Sequence, residues 1–373
     1  MVQRARRKDL FQYDGLTKLQ IENNKLNSEE MESSALQLKS YPRRLVLELT
    51  NVCNLNCIMC GRDSQKFTPT FFDVNSLDKI KSILNKITEV TLFGWGEPTM
   101  HPKLSNILEY LNQYPVKKYF VTNGMLLHNF FDDIFKYNVD IIAISLDGAC
   151  SETNDRIRTK GKFEQIVGNI KNIVKRRNEL GVTFPYMNFV TTLMKDNIEE
   201  LPKMVTLAHE LGIEEVKAVY LTAFNQEMAK KTLYNETETV RRVFAETIAM
   251  GEKYNIKVKL PFVQGEDSAQ DLYHKNCYVS WRDFFLGADG YVRPCQSTPM
   301  KLFSYDKYQN FEEMWNSLEY QDIRRRVNDQ ENMPQECKVC YQSSHSNWNR
   351  KSSFIHPTDG VDYAPTWERK KTV

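Results

Sequence analysis

Residues 44–62 read RLVLELTNVCNLNCIMCGR, and this stretch decides the fold. Its first six residues are mostly apolar, which predicts a short buried strand. Cys53, Cys57 and Cys60 follow with C-x3-C-x2-C spacing in a predicted loop. Three thiolates so close in sequence can hold one iron–sulfur cubane and leave its fourth iron open. A zinc site is the alternative, but no histidine lies nearby in the sequence as a fourth ligand.

Outward from this stretch, short apolar segments alternate with segments of helical period. The predicted strands are 44–49, 89–93, 117–121, 140–145, 186–192 and 216–221. The predicted helices include 76–87, 163–181 with Gly181 as C-cap, and 236–254 with Asn235 and Glu238 as a capping box. Six such repeats predict a parallel sheet whose right-handed crossovers curl it into a partial or complete barrel, with the site at the C-terminal strand ends.

The predicted fold class is therefore α/β, a partial (β/α)6 parallel barrel with a small C-terminal α+β domain. An apolar pattern at Leu16, Leu19 and Leu26 predicts one or two short helices that lie on the main domain. The predicted units are an N-terminal extension (1–42), the barrel core (43–255), a small metal-stapled module (256–345) and a C-terminal tail (346–373).

Composition excludes some partners. The 373 residues carry 50 Lys+Arg and 48 Asp+Glu, a net charge of +2, which gives no electrostatic footprint for nucleic acid. The basic N-terminus lacks the apolar segment of a signal peptide, and no apolar run is long enough to span a membrane. We therefore expect a soluble, cytoplasmic protein without membrane partners. In that reducing compartment, eight closely spaced cysteines indicate metal binding rather than disulfides.

The first cysteine cluster, with apolar Met59 before its last cysteine, resembles the CxxxCxφC hallmark of the radical S-adenosylmethionine (SAM) superfamily. The resemblance implies a catalytic [4Fe-4S] cluster whose open iron chelates the amino and carboxylate groups of SAM. One-electron reduction by an external donor such as flavodoxin or ferredoxin then gives a 5'-deoxyadenosyl radical that abstracts hydrogen.

Further motifs follow the later strands in the order that the family shows. Residues 92–102 read LFGWGEPTMHP, which resembles the family's Gly-Gly-Glu-Pro loop with Trp95 at the first glycine position. In the family this loop meets the methionyl amino group of SAM, and glycine lets the backbone approach a ligand closely. The implied cofactor-binding residues of this loop are Gly94, Gly96, Glu97 and Pro98.

Other implied cofactor contacts come from the third and fourth strands. They are Asn123 in VTNG, Ser145 and Asp147 in the Ser-x-Asp-Gly motif, and Arg158, which is placed like the family's arginine for the SAM carboxylate. A lone asparagine or arginine in a loop is otherwise a turn former or a solvated charge. Thr192, Asn197, Tyr220 and Leu221 are candidate neighbours of the adenosyl group, with plain barrel core as the alternative.

A second cluster comprises Cys277, Cys295, Cys337 and Cys340, and LGADGYV before Cys295 predicts a hairpin with its turn at 288–290. Four soft ligands suit one zinc or one cubane, and the spacing alone favours zinc. The hairpin, the Trp-Asn-Ser at 315–317, the Arg-rich helix and the final CxxC, however, resemble a SPASM or twitch module. A full SPASM module brings about seven cysteines, so four imply one auxiliary [4Fe-4S] cluster, fully ligated and used for electron transfer.

Cys150 follows the fourth strand and is the one cysteine outside both clusters. It is either a small buried residue or the catalytic thiol that returns hydrogen to a substrate radical in an epimerase. Dehydrogenation, with the auxiliary cluster as electron acceptor, uses every other assigned feature and ranks first. An epimerase or a peptide maturase is the alternative, and a non-catalytic metal-stabilised interaction protein is the alternative of another class.

The length of the N-terminal extension bears on the substrate. About 40 residues before Pro42 are too few for a precursor-binding domain of the size that peptide-modifying relatives carry. This favours a small molecule, such as a sugar, an aminocyclitol or a nucleotide-like compound, over a peptide.

Overall fold

A computed structural model describes residues 15–62, 68–233, 236–261, 263, 277–295, 298, 300–329 and 331–342. The predicted tail at 346–373 and the first 14 residues lie outside these ranges. Within them, every helix is too short or too polar to cross a lipid bilayer.

The core of the fold is one ten-stranded sheet in the order β10-β9-β8-β1-β2-β3-β4-β5-β6-β7. Strands β1 to β7 all pair in parallel, as the alternation of strands and helices predicts. The six predicted strands are confirmed as β1 Arg44–Leu47, β2 Glu89–Leu92, β3 Lys117–Thr122, β4 Ile141–Ser145, β5 Tyr186–Leu193 and β6 Glu215–Tyr220. The further strands are β7 Lys257–Lys259, β8 Asp283–Leu286, β9 Tyr291–Arg293 and β10 Phe303–Ser304.

Helices cover one face of this sheet. The α-helices are α1 Lys18–Glu32, α2 Leu104–Leu111, α3 Phe131–Lys136, α4 Ser151–Ile157, α5 Phe163–Leu180, α6 Leu201–Leu211, α7 Gln226–Lys230, α8 Thr237–Tyr254, α9 Val279–Arg282, α10 Phe311–Trp315, α11 Leu318–Arg326 and α12 Gln335–Gln342. In the described ranges the 3-10 helices are Val74–Ile83, Pro98–Met100, Leu127–Phe130, Ile198–Glu200 and Tyr305–Lys307. Alternate strand residues such as Leu45 and Leu47 pack with the helices in one apolar core, so their neighbours face the other side.

The sheet curves into a partial barrel, in agreement with the predicted fold class. Ile58, which follows β1, donates its backbone N–H to the carbonyl of Ile157, three strands away beyond β4, at 3.0 Å. In a flat sheet these strands would lie about 14 Å apart at 4.8 Å per strand. The loops at the C-terminal strand ends therefore converge on one side, here called the barrel mouth.

Two predicted helix ends can be compared with the structure. Gly181 ends α5 in the left-handed conformation, with φ of 63°, which confirms the predicted C-cap. The predicted capping box before α8 is wrong, because the N-cap is Glu236, whose side chain makes no capping hydrogen bond, and Asn235 lies outside the described residues. The predicted helix at 76–87 is instead the 3-10 helix Val74–Ile83.

The N-terminal helix α1 is present but docks in an unexpected way. Its buried side chains are polar, namely Gln20, Asn23, Asn24 and Asn27, whereas Leu19 is 52% exposed. These amides bond to backbone and side-chain groups of several segments; Gln20, for example, donates to the carbonyls of Ile87 and Pro115. The predicted helix on the main domain is thus confirmed, but hydrogen bonds of buried amides hold it in place, and Leu19 of the apolar pattern is exposed.

The C-terminal module continues the same sheet. Its predicted hairpin is formed by β8 and β9, and Gly290 in the turn has φ of 79°. β8 also pairs in parallel with β1, from Arg44 opposite Asp283 to Leu47 opposite Leu286. The predicted boundary near residue 256 therefore does not interrupt the sheet.

Candidate functional site

The cysteine loop, residues 50–62, is held from both sides by backbone hydrogen bonds. On one side, the N–H groups of Gly96 and Glu97 donate to the carbonyls of Thr50 and Val52 at 3.1 and 2.8 Å. On the other side, the cysteine loop donates to residues 157 and 159, from Ile58 as described above and from Asn56 at 3.0 Å. The loops after β2 and β4 therefore fix the positions of the three cysteines.

The glycines of the loop after β2 are required by this close packing. A Cβ atom on Gly96 would lie 2.3 Å from the carbonyl oxygen of Thr50, and one on Gly94 would lie 2.3 Å from Cγ of Glu48. Contacts below 3.0 Å do not occur for real Cβ atoms, and Thr50 offers backbone that cannot move aside. Both glycines thus let the loop after β2 lie directly against the end of β1, in addition to any approach to a ligand.

Glu97 braces the loops after β2 and β3. Its Oε1 accepts hydrogen bonds from the backbone and hydroxyl of Thr99 and from the hydroxyl of Thr122, and Oε2 accepts from the backbone of Asn123 at 2.7 Å. Burial raises the pKa of Glu97, while these hydrogen bonds act in the opposite direction. The next residue, Pro98, is buried and begins a 3-10 helix. The carboxylate is therefore engaged within the protein as a positioning group.

Asn123 faces the cysteine loop. Its Nδ2 donates to Oδ1 of Asn54 at 2.7 Å and lies 3.9 Å from Sγ of Cys53, and its Oδ1 accepts from the backbone of Met125. The residue that the sequence assigned to the cofactor thus also holds the first cysteine in place.

Asp147 and Arg158 form a buried ion pair beside Cys57. Nη2 of Arg158 lies 2.7 Å from Oδ2 of Asp147, and its Nη1 lies 4.0 Å from Sγ of Cys57. Oδ1 of Asp147 accepts from the backbone of Thr192 at 2.7 Å. Burial raises the pKa of Asp147, and the guanidinium opposes that effect. Within the described ranges, Nε of Arg158 is buried without a hydrogen-bond partner, so this guanidinium retains a donor for a ligand.

The remaining candidates differ in their surroundings. Ser145 is half-buried at the end of β4. Asn197 donates to the carbonyl of Asp147 at 2.9 Å and so supports the same loop. Tyr220 packs in the apolar core and stacks on Phe244 of α8, as barrel core rather than as a site residue. Leu221, by contrast, belongs to a small apolar cluster that includes Met59 of the cysteine loop.

The three thiols suit a cluster that binds each of them through a different iron. Burial raises the pKa of Cys57 to about 11, although the Arg158 guanidinium lowers it, and Cys53 and Cys60 add their own repulsion. Holding three thiolates here therefore needs strong positive charge, which irons supply. Among the described residues no three ligand side chains converge on one point that could hold a single ion. Three half-buried thiols in one braced loop, with a guanidinium beside Cys57, fit a cubane that is bound through three of its irons.

The auxiliary cysteines are partly described. Cys277, Cys295 and Cys337 are half-buried, and Cys340 lies in α12 with its side chain outside the described part of the chain. Burial raises the pKa of Cys337, and the charges of Cys295 and Cys277 raise it further. The backbone of Cys277 exchanges two hydrogen bonds with the side chain of Asn328.

Cys150 is exposed and is the N-cap residue of α4. Its Sγ lies 3.8 Å from a carboxylate oxygen of Glu200 and 3.9 Å from the hydroxyl of Thr153. The expectation of a small buried cysteine is therefore wrong, since the chain turns outward here to begin α4. The role as a hydrogen donor stays a prediction.

Sequence reasoning missed several residues that shape the site. Glu48 accepts hydrogen bonds from the backbones of Trp95 and Ala288, and so links β1 to the loop after β2 and to the β8–β9 turn. Phe224, after β6, packs against Trp95 with ring centroids 6.1 Å apart. A charged residue inside an apolar strand, as in RLVLELT, was the available signal for Glu48. No local pattern could reveal Phe224, because its contact joins loops far apart in sequence.

Comparisons with known proteins agree with this geometry. Residues 47–208 match the model of the Radical SAM superfamily, and residues 277–341 match that of SPASM, an iron–sulfur cluster-binding domain. The AdoMet-dependent heme synthase of Methanosarcina barkeri is 24% identical over 332 residues, covering 82% of this chain and 90% of that protein. The subtilosin biosynthesis protein AlbA of Bacillus subtilis is 25% identical over 283 residues, covering 74% of this chain and 60% of that protein.

Solved structures show the same fold. Streptococcus suis SuiB bound to S-adenosylmethionine superposes with a TM-score of 0.65 at 16% identity, covering 91% of this chain and 82% of that protein. The two family matches include all seven cysteines of the two clusters. Residues 47–208 therefore form a radical SAM domain, which binds a [4Fe-4S] cluster and S-adenosylmethionine, and residues 277–341 form a SPASM domain, which binds auxiliary iron–sulfur.

Proposed function

We propose that this enzyme dehydrogenates a small metabolite. When bound, the catalytic cluster and SAM would supply a 5'-deoxyadenosyl radical that takes one hydrogen atom from the substrate, and the substrate radical would then lose one electron to the auxiliary cluster and one proton to solvent. Cys53, Cys57 and Cys60 would hold the catalytic cluster, with an open iron for SAM. The external one-electron donor would be a flavodoxin or a ferredoxin.

The observation that carries this proposal is the rigid support of the cysteine loop. Backbone hydrogen bonds from the loops after β2 and β4 fix it, and Asn123 and Arg158 face two of its thiols. N–H groups directed at the sulfurs of a cluster stabilise its reduced, more negative state. Arg158 also has a buried Nε free for hydrogen bonding within the described ranges, which suits the SAM carboxylate.

The position of the auxiliary cysteines supports electron transfer over substrate binding. β9 runs antiparallel to β8, so Cys295, just after β9, lies towards the N-terminal ends of β8 and β1. Cys53 follows the opposite end of β1. The length of β1 alone therefore separates Cys295 from Cys53 by about 10 Å, at 3.3 Å per residue. A cluster held there, with all four of its irons ligated by Cys277, Cys295, Cys337 and Cys340, would accept an electron without contacting a substrate at the mouth.

The class of substrate is the least constrained part of the proposal. The similar proteins include a heme synthase, and SuiB, another fold relative, is known in complex with the precursor peptide SuiA. Relatives thus act on small molecules and on peptides.

Anaerobic reconstitution tests the proposal. We expect about eight irons per chain, four for each cubane, and formation of 5'-deoxyadenosine on addition of dithionite and SAM. A Cys53→Ala/Cys57→Ala/Cys60→Ala variant should keep about four irons and form no 5'-deoxyadenosine. Zinc in place of iron, or no SAM cleavage by the fully loaded wild type, would overturn the proposal in favour of a metal-stabilised interaction protein.

Dehydrogenation also predicts a fixed ratio of 5'-deoxyadenosine to oxidised substrate. With substrate from an extract of the producing cells, each 5'-deoxyadenosine should accompany one substrate molecule that has lost two hydrogens, as measured by mass spectrometry. Epimerisation would leave the mass unchanged in water and would add one deuterium in D2O.

A further inference from the structure

Residues 35–41, here called the strap, lie against the SPASM domain although they belong to the N-terminal extension. They form neither a helix nor a strand, and Leu38 and Ser40 are buried at 4% and 2% exposure. Backbone groups that are buried in an irregular segment need hydrogen-bond partners from elsewhere in the protein. For the strap, side chains of the SPASM domain supply several of these partners.

Two of these side chains bind the middle and the end of the strap. Asn316 binds Leu38 twice, because its Oδ1 accepts from the backbone N–H and its Nδ2 donates to the carbonyl, both at 2.8 Å. Nε1 of Trp315 donates to the carbonyl of Ser40 at 3.0 Å. Both residues belong to the Trp-Asn-Ser sequence at 315–317, to which the proposed radical chemistry gives no role.

Arg324 of α11 joins the strap to helix α9. Its Nη1 donates to the carbonyl of Leu36 at 2.9 Å, and its Nε donates to the carbonyl of Ser280 in α9 at 3.1 Å. The guanidinium is buried and lies over the ring of Trp315, 4.4 Å from its centroid. The two hydrogen bonds and the stacking together fix the plane of this guanidinium, so the strap and α9 are held at a set distance.

Two connections lead from the strap to Cys277. Helix α9 begins two residues after Cys277, and Nε1 of Trp281 in this helix donates to the carbonyl of Ala35 at 2.6 Å. Shortly after α11, the side chain of Asn328 exchanges two hydrogen bonds with the backbone of Cys277. Helices α9 and α11 therefore both relate the position of this cysteine to the strap.

We propose that the strap is part of the auxiliary-cluster site: Asn316, Trp315 and Arg324 bind its backbone, and the strap holds Cys277 in the position that the cluster requires. The three side chains are positioning residues, because they act through the strap and through Cys277. The N-terminal extension thereby forms one cluster-binding unit with residues 277–341. This inference goes beyond the proposed function and does not depend on which reaction the enzyme performs.

Coupling between the strap and the cluster must act in both directions. If the strap stabilises the cluster-binding position of Cys277, a bound cluster stabilises the strap by the same free energy. The backbone amides of the strap should then open less often, and exchange hydrogen more slowly, when the auxiliary cluster is present. A strap with a purely structural role would exchange at the same rate with and without the cluster.

Hydrogen–deuterium exchange followed by mass spectrometry tests this coupling. The Cys53→Ala/Cys57→Ala/Cys60→Ala variant isolates the auxiliary cluster, and its reconstituted and iron-free forms are compared anaerobically. We expect peptides that cover the strap to exchange about fivefold or more slowly in the reconstituted form. Peptides from α6, which packs against α8 and β6 of the barrel, are the internal control and should exchange equally in both forms.

Asn316→Ala, made in the same background, tests the proposed contact. Asn316 is half-buried, so its truncation removes both hydrogen bonds to Leu38 and leaves the apolar core in place. We expect iron to fall from about four per chain to about two or fewer, and the slowing of strap exchange to disappear. Leu318→Ala, two residues further along and 80% exposed, is the control and should keep its iron.

Equal strap exchange in the reconstituted and iron-free forms overturns the inference, as does full iron content in Asn316→Ala. The exchange comparison decides the matter even if Asn316→Ala fails to fold. The wild type is assayed in parallel for 5'-deoxyadenosine formed from SAM and dithionite. Absence of SAM cleavage refutes the proposed function and leaves the exchange result standing, whereas equal exchange beside normal SAM cleavage refutes the role of the strap alone.

Discussion

The guanidinium of Arg158 contacts both the carboxylate of Asp147, at 2.7 Å, and the thiol of Cys57, at 4.0 Å. One side chain thereby joins the end of β4 to the cysteine loop. The resemblance to the family assigns this arginine to the SAM carboxylate. In the structure Nη2 of Arg158 faces Asp147 and its Nη1 faces Cys57. Its buried Nε has no hydrogen-bond partner among the described residues. Arg158 thus holds the loop in addition to any contact with the cofactor.

Replacing Arg158 should destabilise the fold as well as the cluster. In Arg158→Met the buried Asp147 loses its partner, which costs about 3–5 kcal/mol in similar buried pairs. Urea unfolding of the cluster-free protein measures this loss, and iron content after reconstitution measures the effect on the cluster. Arg156→Met, at an exposed position of α4, is the control and should change neither. A stable Arg158→Met variant with full iron content would contradict the bridging role.

Gly96 should not tolerate even one added methyl group. In Gly96→Ala the new Cβ would lie 2.3 Å from the backbone oxygen of Thr50, so the loop after β2 must move away from the cysteine loop. We expect loss of most of the catalytic cluster, seen as about four irons per chain instead of eight. Gly168→Ala is the matched control, because nothing lies within 4 Å of its new Cβ in the middle of α5. That change should stabilise the protein by about 0.5–1 kcal/mol.

A variant of Cys150 distinguishes dehydrogenation from epimerisation. Its thiol is exposed and lies beside Glu200, outside the network of hydrogen bonds around the cysteine loop. For a dehydrogenase we expect Cys150→Ala to keep the wild-type rates of product and 5'-deoxyadenosine formation, measured together by mass spectrometry. If the variant instead cleaves SAM and forms a substrate radical without turnover, Cys150 is the hydrogen donor and the enzyme is an epimerase.

The sequence predicts periodic and local features of this fold well. All six core strands and the cap at Gly181 follow from apolar patterns and from glycine's tolerance of the left-handed conformation. The cysteine motif predicts the position of the loop that would hold the catalytic cluster. The contacts that the sequence does not predict are those that leave no periodic pattern in it. Helix α1 docks through amides, and the contact of Trp95 with Phe224 depends on the curvature of the whole sheet.

The amides of α1 give a direct test of that explanation. Asn27 donates to the carbonyl of Trp281 at 2.8 Å and to the hydroxyl of Ser40 at 3.0 Å, and it accepts from Nε of Arg43. In Asn27→Ala these buried partners are left unsatisfied, at a cost of at least about 2 kcal/mol. Chemical unfolding measures the loss, and Asn178→Ala on the exposed face of α5 is the control. An unchanged midpoint would show that the leucines of α1 carry its binding after all.

Trp95 and Phe224 should protect the cluster from solvent. Their rings meet edge to face across the barrel mouth, between the loops after β2 and β6, and Phe224 lies so close over Gly61 that a Cβ there would be 2.6 Å from the ring. Phe224→Ala removes this cover over the end of the cysteine loop. We expect the visible absorbance of the reconstituted cluster to bleach in air several-fold faster than in the wild type. Phe135→Ala breaks a similar ring pair on the outer helix α3 and should not alter the bleaching rate. Equal rates in all three proteins would show that oxygen reaches the cluster by another route, and the aromatic pair would then serve packing alone.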